Sequence, residues 1–315
     1  MAIVTNTFQT YGAIGNREDL SDIIYNISPT DTPFMSSIGK EKAEGTLHEW
    51  QTDALAAAAT NAQVEGDEIA FTAVVPTSRI NNRTQISRKS VIVSGTQDTV
   101  NTAGRNQELA YQISKNAKEL KRDMELVLCN NQSAAVGGAA AARTSSGLAS
   151  WIQTNINAIG ANGATGGVDT PGILRTNGTQ RAFTEAQLKG VAASCWNSGG
   201  DPSMIMLGSF NKQKLSGFTG GSTKMTQADD KKLVAAIDIY ESDFGSMTVV
   251  PNRFSRSRDV FVLQPDMWAV AYLRDFQMID LAKTGDAEKK AMLAEYTLVA
   301  KNEAANGAIF DLTTA

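Results

Sequence analysis

The stretch GRNQELAYQISKNAKELKRDMELVLCNNQ, residues 104–132, decides how the chain is organised. Apolar or small side chains recur at Leu109, Ile113, Ala117, Leu120, Met124 and Val127–Leu128, in steps of three and four. That period gathers them on one face of an α-helix and leaves the other face polar. No Pro or Gly falls between Arg105 and Gln132 to interrupt it. At about 1.5 Å per residue the helix would be roughly 40 Å long, well beyond the usual three turns. A rod of that length needs a broad surface to lie on, and its flanking segments read as strands.

The 315 residues are too many for one small core and enough for about two domains. Hydrophobic residues make up 42%, which is enough to bury a real core. The net charge of −4 argues against a chain held to nucleic acid by phosphate attraction overall, though one basic face remains compatible with it. Cys129 and Cys195 lie far apart among helix-forming residues and read as reduced, buried small hydrophobes of a cytosolic protein. No apolar run reaches the length of a membrane span. The opening MAIVTNTFQTYGAIG has neither a basic leader nor an apolar signal core, so synthesis and retention in the cytosol are expected.

Residues 1–44 read as an arm. Asp19–Ile27 can form a short helix that ends at Ser28-Pro-Thr-Asp-Thr-Pro33, and Phe34, Met35 and Ile38 follow as apolar anchors for a neighbour. Residues 45–95 read as a long hairpin. Its strands are Thr46–Thr52 and Asn82–Ser94, separated by a small-residue and polar stretch with the acidic turn Val64-Glu-Gly-Asp-Glu68. Such a hairpin cannot stand alone and needs another surface or another chain. After the helix come a small-residue connector (Ser133–Ala142), an apolar segment anchored by Leu148, Trp151 and Ile152, and a Gly/Thr/Asn-rich loop from Gly160 to Gly178.

A compact α/β unit follows. Thr184 and Gln187 form a capping box, Leu188, Val191, Ala192 and Cys195 form a buried stripe, and Gly199-Gly200 ends the helix. Met204–Leu207 is a buried strand, and a short helix capped by Ser209 runs through Leu215. Ala236–Ser242 and Ser246–Val250 are strands joined through Asp243-Phe-Gly, and Asp259–Leu263 adds another. Long strands then return: Asp275–Leu281, a turn at Lys283–Lys289, and a strand with Met292, Ala294, Tyr296, Leu298 and Ala300 on one side.

No catalytic constellation accompanies these elements. The single histidine, His48, has no nucleophile or orienting group at useful spacing. There is no Cys/His cluster for zinc, and GANGATGGVDTPG matches no phosphate-binding loop. Lys283-Thr-Gly-Asp286 reads as a turn, and Glu65–Glu68 as a solvated acidic turn. No convergent titratable residues are expected between Ser145 and Asp259, so no enzyme activity, cofactor or metal is expected. Lys115, Lys118 and Arg122 share one face of the long helix, beside the pairs Lys115–Glu119 and Lys121–Glu125. That face reads as solvated, with a weak sequence-blind contact to packaged nucleic acid as its functional reading.

The series of segments resembles the Hong Kong 97-type shell fold of tailed bacteriophages, and its wording resembles the SU-ten-like branch of phage major capsid proteins. The resemblance is carried in order by Asp19–Phe34, Thr46–Thr52, Asn82–Ile86, Val93–Gln97, Tyr240–Gly245 with Val249–Phe254, Leu281–Asp286, and Ala294–Leu298 with Lys301–Glu303. It implies an α+β capsid fold with an N-terminal arm (1–44) and an extended loop (45–95). A peripheral domain (96–147 and 271–303) would carry the spine helix, and an inserted axial domain would span 148–270 and 304–315. It implies self-assembly into hexamers and pentamers of an icosahedral head around double-stranded DNA, built in the host bacterial cytoplasm. Separate scaffolding, portal and decoration proteins are plausible partners; an attached scaffold and crosslinking are not expected. Phe34, Met35, Ile38, Leu47, Trp50, Val64 and Phe71 are the candidate contacts between subunits, and Lys115, Lys118 and Arg122 the candidate lumen-facing basic face. A nanocompartment shell enclosing cargo enzymes is the alternative on the same fold. An enzyme in the α/β unit, or a tail or decoration protein, are the remaining rivals.

Overall fold

The computed structural model describes residues 29–53, 55–69, 71–100, 102, 107–159, 174–218 and 238–314. Asp19–Ile27 and most of Gly160–Gly178 lie outside them, as does the first part of the strand expected at Ala236–Ser242. In chain order the helices are α1 (Pro33–Ser37), α2 (Gly95–Thr99), α3 (Glu108–Cys129), α4 (Leu148–Trp151), α5 (Glu185–Asn197) and α6 (Ser209–Ser216). The strands are β1 (Gly39–Lys42), β2 (Leu47–Thr52), β3 (Ser78–Arg83), β4 (Gln85–Ser94), β5 (Asn155–Asn157), β6 (Met204–Leu207), β7 (Ile239–Ser242), β8 (Gly245–Pro251), β9 (Val260–Leu263), β10 (Trp268–Asp280), β11 (Ala287–Ala300) and β12 (Gly307–Ile309).

The spine α3 is 22 residues long, shorter than the sequence suggests. It stops at Cys129 because Asn130 leaves the helical region and its side-chain oxygen accepts from the Asn131 N–H at 2.8 Å, a local bond that competes with the helix. Leu109, Leu120, Met124 and Leu128 of the apolar stripe are buried, while Ile113, Ala117 and Val127 are half-buried. The helix lies on a four-stranded sheet ordered β1-β10-β11-β4. β10 and β11 form its long antiparallel centre and β1 runs parallel to β10 at one edge. The expected alternation holds on β11: Ala294, Tyr296, Leu298 and Ala300 face the helix core, and Val299 faces a small second cluster with Ala43, Ala269 and Ala271.

A six-stranded sheet ordered β5-β12-β9-β6-β8-β7 forms the second body. The chain's last strand, β12, sits between β5 and β9. Helix α5 opens where expected: the Thr184 N–H donates to Gln187 Oε1 at 3.1 Å, and Leu188, Val191, Ala192 and Cys195 are all buried. It lies so close to β12 that a Cβ on Gly307 would come within 2.4 Å of Val191 and 2.8 Å of the Cys195 sulfur. Only glycine permits that approach.

Two readings of the sequence need correction. The return strand expected over Asn82–Ser94 is two strands. β3 pairs with β2, whereas β4 pairs with β11 in the four-stranded sheet. The break is at Thr84, which is buried; its N–H donates to Thr46 O at 2.9 Å and its hydroxyl to Glu295 Oε1 at 3.0 Å. The second correction concerns Glu125, expected to pair with Lys121 on the helix surface. It points inward and is 0% exposed. Its carboxylate accepts from the Phe34 N–H at 2.8 Å, the Met35 N–H at 2.8 Å and the Asn252 amide at 2.7 Å. Thr32, the residue before α1, makes no capping bond with its side chain, so the spine's carboxylate satisfies the first N–H groups of α1 instead. Burial holds the Glu125 pKa above its ordinary value, opposed by these donors.

Glu125→Ala strands those buried donors and is expected to lower the stability of the unassembled subunit by about 3 kcal/mol, read from urea unfolding. Glu125→Gln keeps one acceptor and loses less. Because the folded pKa lies above the unfolded one, the folded subunit binds this proton more tightly. The group's contribution is therefore full below the unfolded pKa and declines as pH rises through the folded one, a dependence that Glu125→Gln removes.

Candidate inter-subunit surface

Between β2 and β3 the chain leaves the body as a limb, residues 53–77. Its root is riveted to the subunit. The Trp50 indole N–H donates to Ala300 O at 2.8 Å, and the Trp50 ring packs on Trp151 at 5.7 Å. Asn82 is fully buried; its amide donates to Leu298 O at 2.7 Å and its oxygen accepts from the Ser146 N–H at 2.9 Å. Glu295, 3% exposed, takes Thr84, Arg143 and, at 2.8 Å, Arg274.

Beyond the root, few bonds hold the limb among the described residues. Gln63 donates to Asn61 at 3.1 Å, and Thr77 to Gln51 at 3.0 Å. One turn closes through the Asp67 N–H to Val64 O at 3.1 Å, with Gly66 at φ +83°, the backbone that the third position of a type II turn requires. Leu55, Val64, Ile69, Phe71, Val74 and Val75 are between 77% and 99% exposed. An apolar series this open marks a surface meant for a partner.

The candidate contacts separate into groups. Val64 and Phe71 stand on the exposed limb. Phe34 and Ile38 do not belong with them. Phe34 is 0% exposed, edge-on to Trp268 at 6.3 Å, and Ile38 is 7% exposed in the same core. The arm's apolar anchors are thus consumed by their own subunit, because Glu125 seats α1 there. Met35 and Trp50 are half-buried against that core, and Leu47 is half-buried on β2. Leu55, Ile69, Val74 and Val75 were missed. Their signal was apolar residues in a stretch with no alternating or helical period.

On the spine, Lys115 and Lys118 are exposed and Arg122 is half-buried. Lys115 lies 3.9 Å from Glu119, and all three basic residues line a hollow shared with Pro29 and Thr30 of the arm.

Among the described residues the titratable groups show no reaction centre. Burial lowers the His48 pKa against the pull of Glu41, and the ring packs beside Trp50 at 5.8 Å. Both cysteines are free and buried; burial pushes the Cys195 thiol up to about 12 and raises the Cys129 thiol well above its ordinary value, so both stay protonated. Contrary to expectation, charged groups do converge in the α/β body. Arg175, Arg256 and Arg258 gather around Asp259 and Asp311. Arg256 lies 2.9 Å from Asp259, Arg258 2.9 Å from Asp311, and Arg175 sits 3.4 Å over the Phe310 ring. Burial pushes Asp259 up to about 6 despite the three cations. The set is made of ion pairs without a nucleophile, and it staples the segment at 175–178 to the chain's end through the Gly178 N–H to Asp311 bond of 2.8 Å. Among the described residues no His/Cys/Asp/Glu group could hold a metal ion, and no helix is long and apolar enough to cross a membrane.

Comparison with known proteins agrees with this geometry. The family model described as SU10 major capsid protein matches residues 3–313. The major capsid protein of Escherichia phage Phieco32 is 30% identical, covering 96% of this chain and 96% of that protein. Three solved structures share the fold. The capsid of a native GTA particle has a TM-score of 0.63 at 11% identity, covering 95% of this chain and 96% of its own. That of cyanophage A-1(L) has 0.62 at 13%, covering 95% and 98%. A structure from Gordonia phage Cozz has 0.61 at 10%, covering 100% and 99%. The α+β architecture is therefore the Hong Kong 97-type capsid fold, and these neighbours are not nanocompartment shells. The chain belongs to the SU10 major capsid protein family and is a structural component of a tailed-phage virion rather than an enzyme.

Proposed function

We propose that copies of this chain form hexamers and pentamers that close an icosahedral head around double-stranded DNA, with the limb of each copy laid on a neighbour. The supporting observation is the exposure of Leu55, Val64, Ile69, Phe71, Val74 and Val75: a riveted root carrying apolar side chains that stay at least 77% exposed in their own subunit. In this reading residues 148–270 and 304–315 face the capsomer centre, and residues 96–147 and 271–303 form the peripheral platform. The arm (1–44) and the extended loop (45–95), whose free part is the limb at 53–77, lie at the edges. Met35, Leu47 and Trp50 are secondary contacts, because each is already half-occupied by its own chain. Assembly takes place in the host cytoplasm, with scaffolding, portal and decoration proteins as separate chains. Contact with packaged DNA is sequence-blind and weak. It falls to Lys118, because Lys115 is already beside Glu119 and Arg122 is half-buried.

Deleting Ala54–Thr77 is expected to leave the thermal melt of the free subunit intact and to abolish closed shells in electron micrographs. Normal shells from that deletant would remove the limb from the interface. A milder change, Phe71→Ser, forgoes about 2 kcal/mol of burial, which raises the threshold concentration for assembly about thirtyfold. An unchanged threshold would place Phe71 outside the contact.

A further inference from the structure

The proposed function leaves open where on its neighbour the limb lies. A groove of about 820 Å³ runs between α1–β1, the far stretch of β10 and the side of α3. Met35, Tyr272 and Phe276 give it an apolar floor, and Lys40, Lys42 and Lys121 line it with positive charge. Lys121 stands 6.0 Å over the Phe276 ring. Lys40 and Lys42 are exposed and have no ion pair among the described residues. Glu41 between them pairs with Lys301 at 3.1 Å, and Asp275, which also lines the groove, accepts from the Phe276 N–H at 2.7 Å, so three lysines face two carboxylates, of which one is already in an ion pair. One wall, β1, is the edge of its sheet, with no strand on its outer side among the described residues. Such an edge offers unpaired backbone groups to an incoming extended segment.

The limb's turn carries the complementary pattern. Glu65, Asp67 and Glu68 cluster around Gly66, flanked by Val64 on one side and by Ile69 and Phe71 on the other, all exposed. The acids have no ion pair among the described residues. From Thr52 the chain can carry Gly66 roughly 45 Å outward, about twice the radius of gyration expected for a chain of this length. A limb of that reach can extend past its own body.

We propose that Val64–Phe71 of one copy seats in the Lys40–Lys42–Lys121 groove of a neighbouring copy. Its acids meet the lysines, and its apolar side chains meet Met35, Tyr272 and Phe276. The proposal rests on the limb reading above and adds the receiving surface.

Charge exchange tests it. Lys40→Glu/Lys42→Glu/Lys121→Glu and, separately, Glu65→Lys/Asp67→Lys/Glu68→Lys are each expected to cut shell yield at least tenfold while the free subunit melts as before. The two sets combined in one chain are expected to restore shells. If the groove reversal assembles normally while the Ala54–Thr77 deletion still blocks closure, the groove assignment is wrong and the limb reading stands. If the groove reversal blocks assembly and the combined chain does not recover, the groove takes a different occupant, such as a separate scaffolding or decoration chain, and the assignment is likewise overturned. Should the reversed groove unfold the subunit, carbodiimide coupling of wild-type shells built from mixed ¹⁴N and ¹⁵N copies decides. Mixed-label links between the 64–71 and 40–42 or 121 peptides support the proposal, and their absence among other mixed-label links overturns it.

Discussion

Water does not tolerate six large apolar side chains on one unsupported limb without cost. At about 2 kcal/mol per fully buried side chain, Leu55, Val64, Ile69, Phe71, Val74 and Val75 represent on the order of 10 kcal/mol that a lone subunit leaves unrealised. That deficit is larger than many small domains' whole stability. It shapes the remaining structure in one respect: everything else must hold the limb's root rigid without the limb's help. The buried polar bonds of Asn82, Thr84 and Glu295 do this, and the Trp50 indole on Ala300 adds a fourth point.

The root and the spine are coupled through the same sheet. Asn82 bonds to the Leu298 carbonyl, Thr84 to the Glu295 side chain, and Tyr296 and Leu298 carry the packing of α3. On the spine's other side Glu125 ties the arm to Asn252 near the end of β8. One buried carboxylate therefore joins three parts of the chain that are remote in sequence. A hydrophobic residue there would pack, but it would leave the Phe34 and Met35 N–H groups without an acceptor.

Much of this was legible beforehand. The three-and-four spacing from Leu109 to Leu128 gave the spine, the Thr184–Gln187 box gave the start of α5, and alternation on β11 gave its two faces. What was not legible depends on long-range partners. A glutamate four residues after a lysine reads as a surface pair; nothing local says that Asn252 and two backbone N–H groups wait on the other side. Phe34 and Ile38 looked available for the same reason, since an isolated arm does not reveal that its own core receives it. The break at Thr84 was invisible because Gln85–Ser94 continues the same β-rich wording past the point where the chain changes sheets. The converging arginines around Asp259 and Asp311 come from segments far apart in sequence, so no motif announced them.

The proposed assembly requires a limb that is unpartnered in a single subunit and becomes buried only between subunits. Amide hydrogen exchange compares the two states directly, with peptides covering residues 53–77 followed in free subunits and in closed shells. Exchange at nearly unfolded rates is expected in the free subunit and strong protection in the shell, with β10 and β11 protected in both. Equal, rapid exchange of residues 53–77 in both states would contradict it.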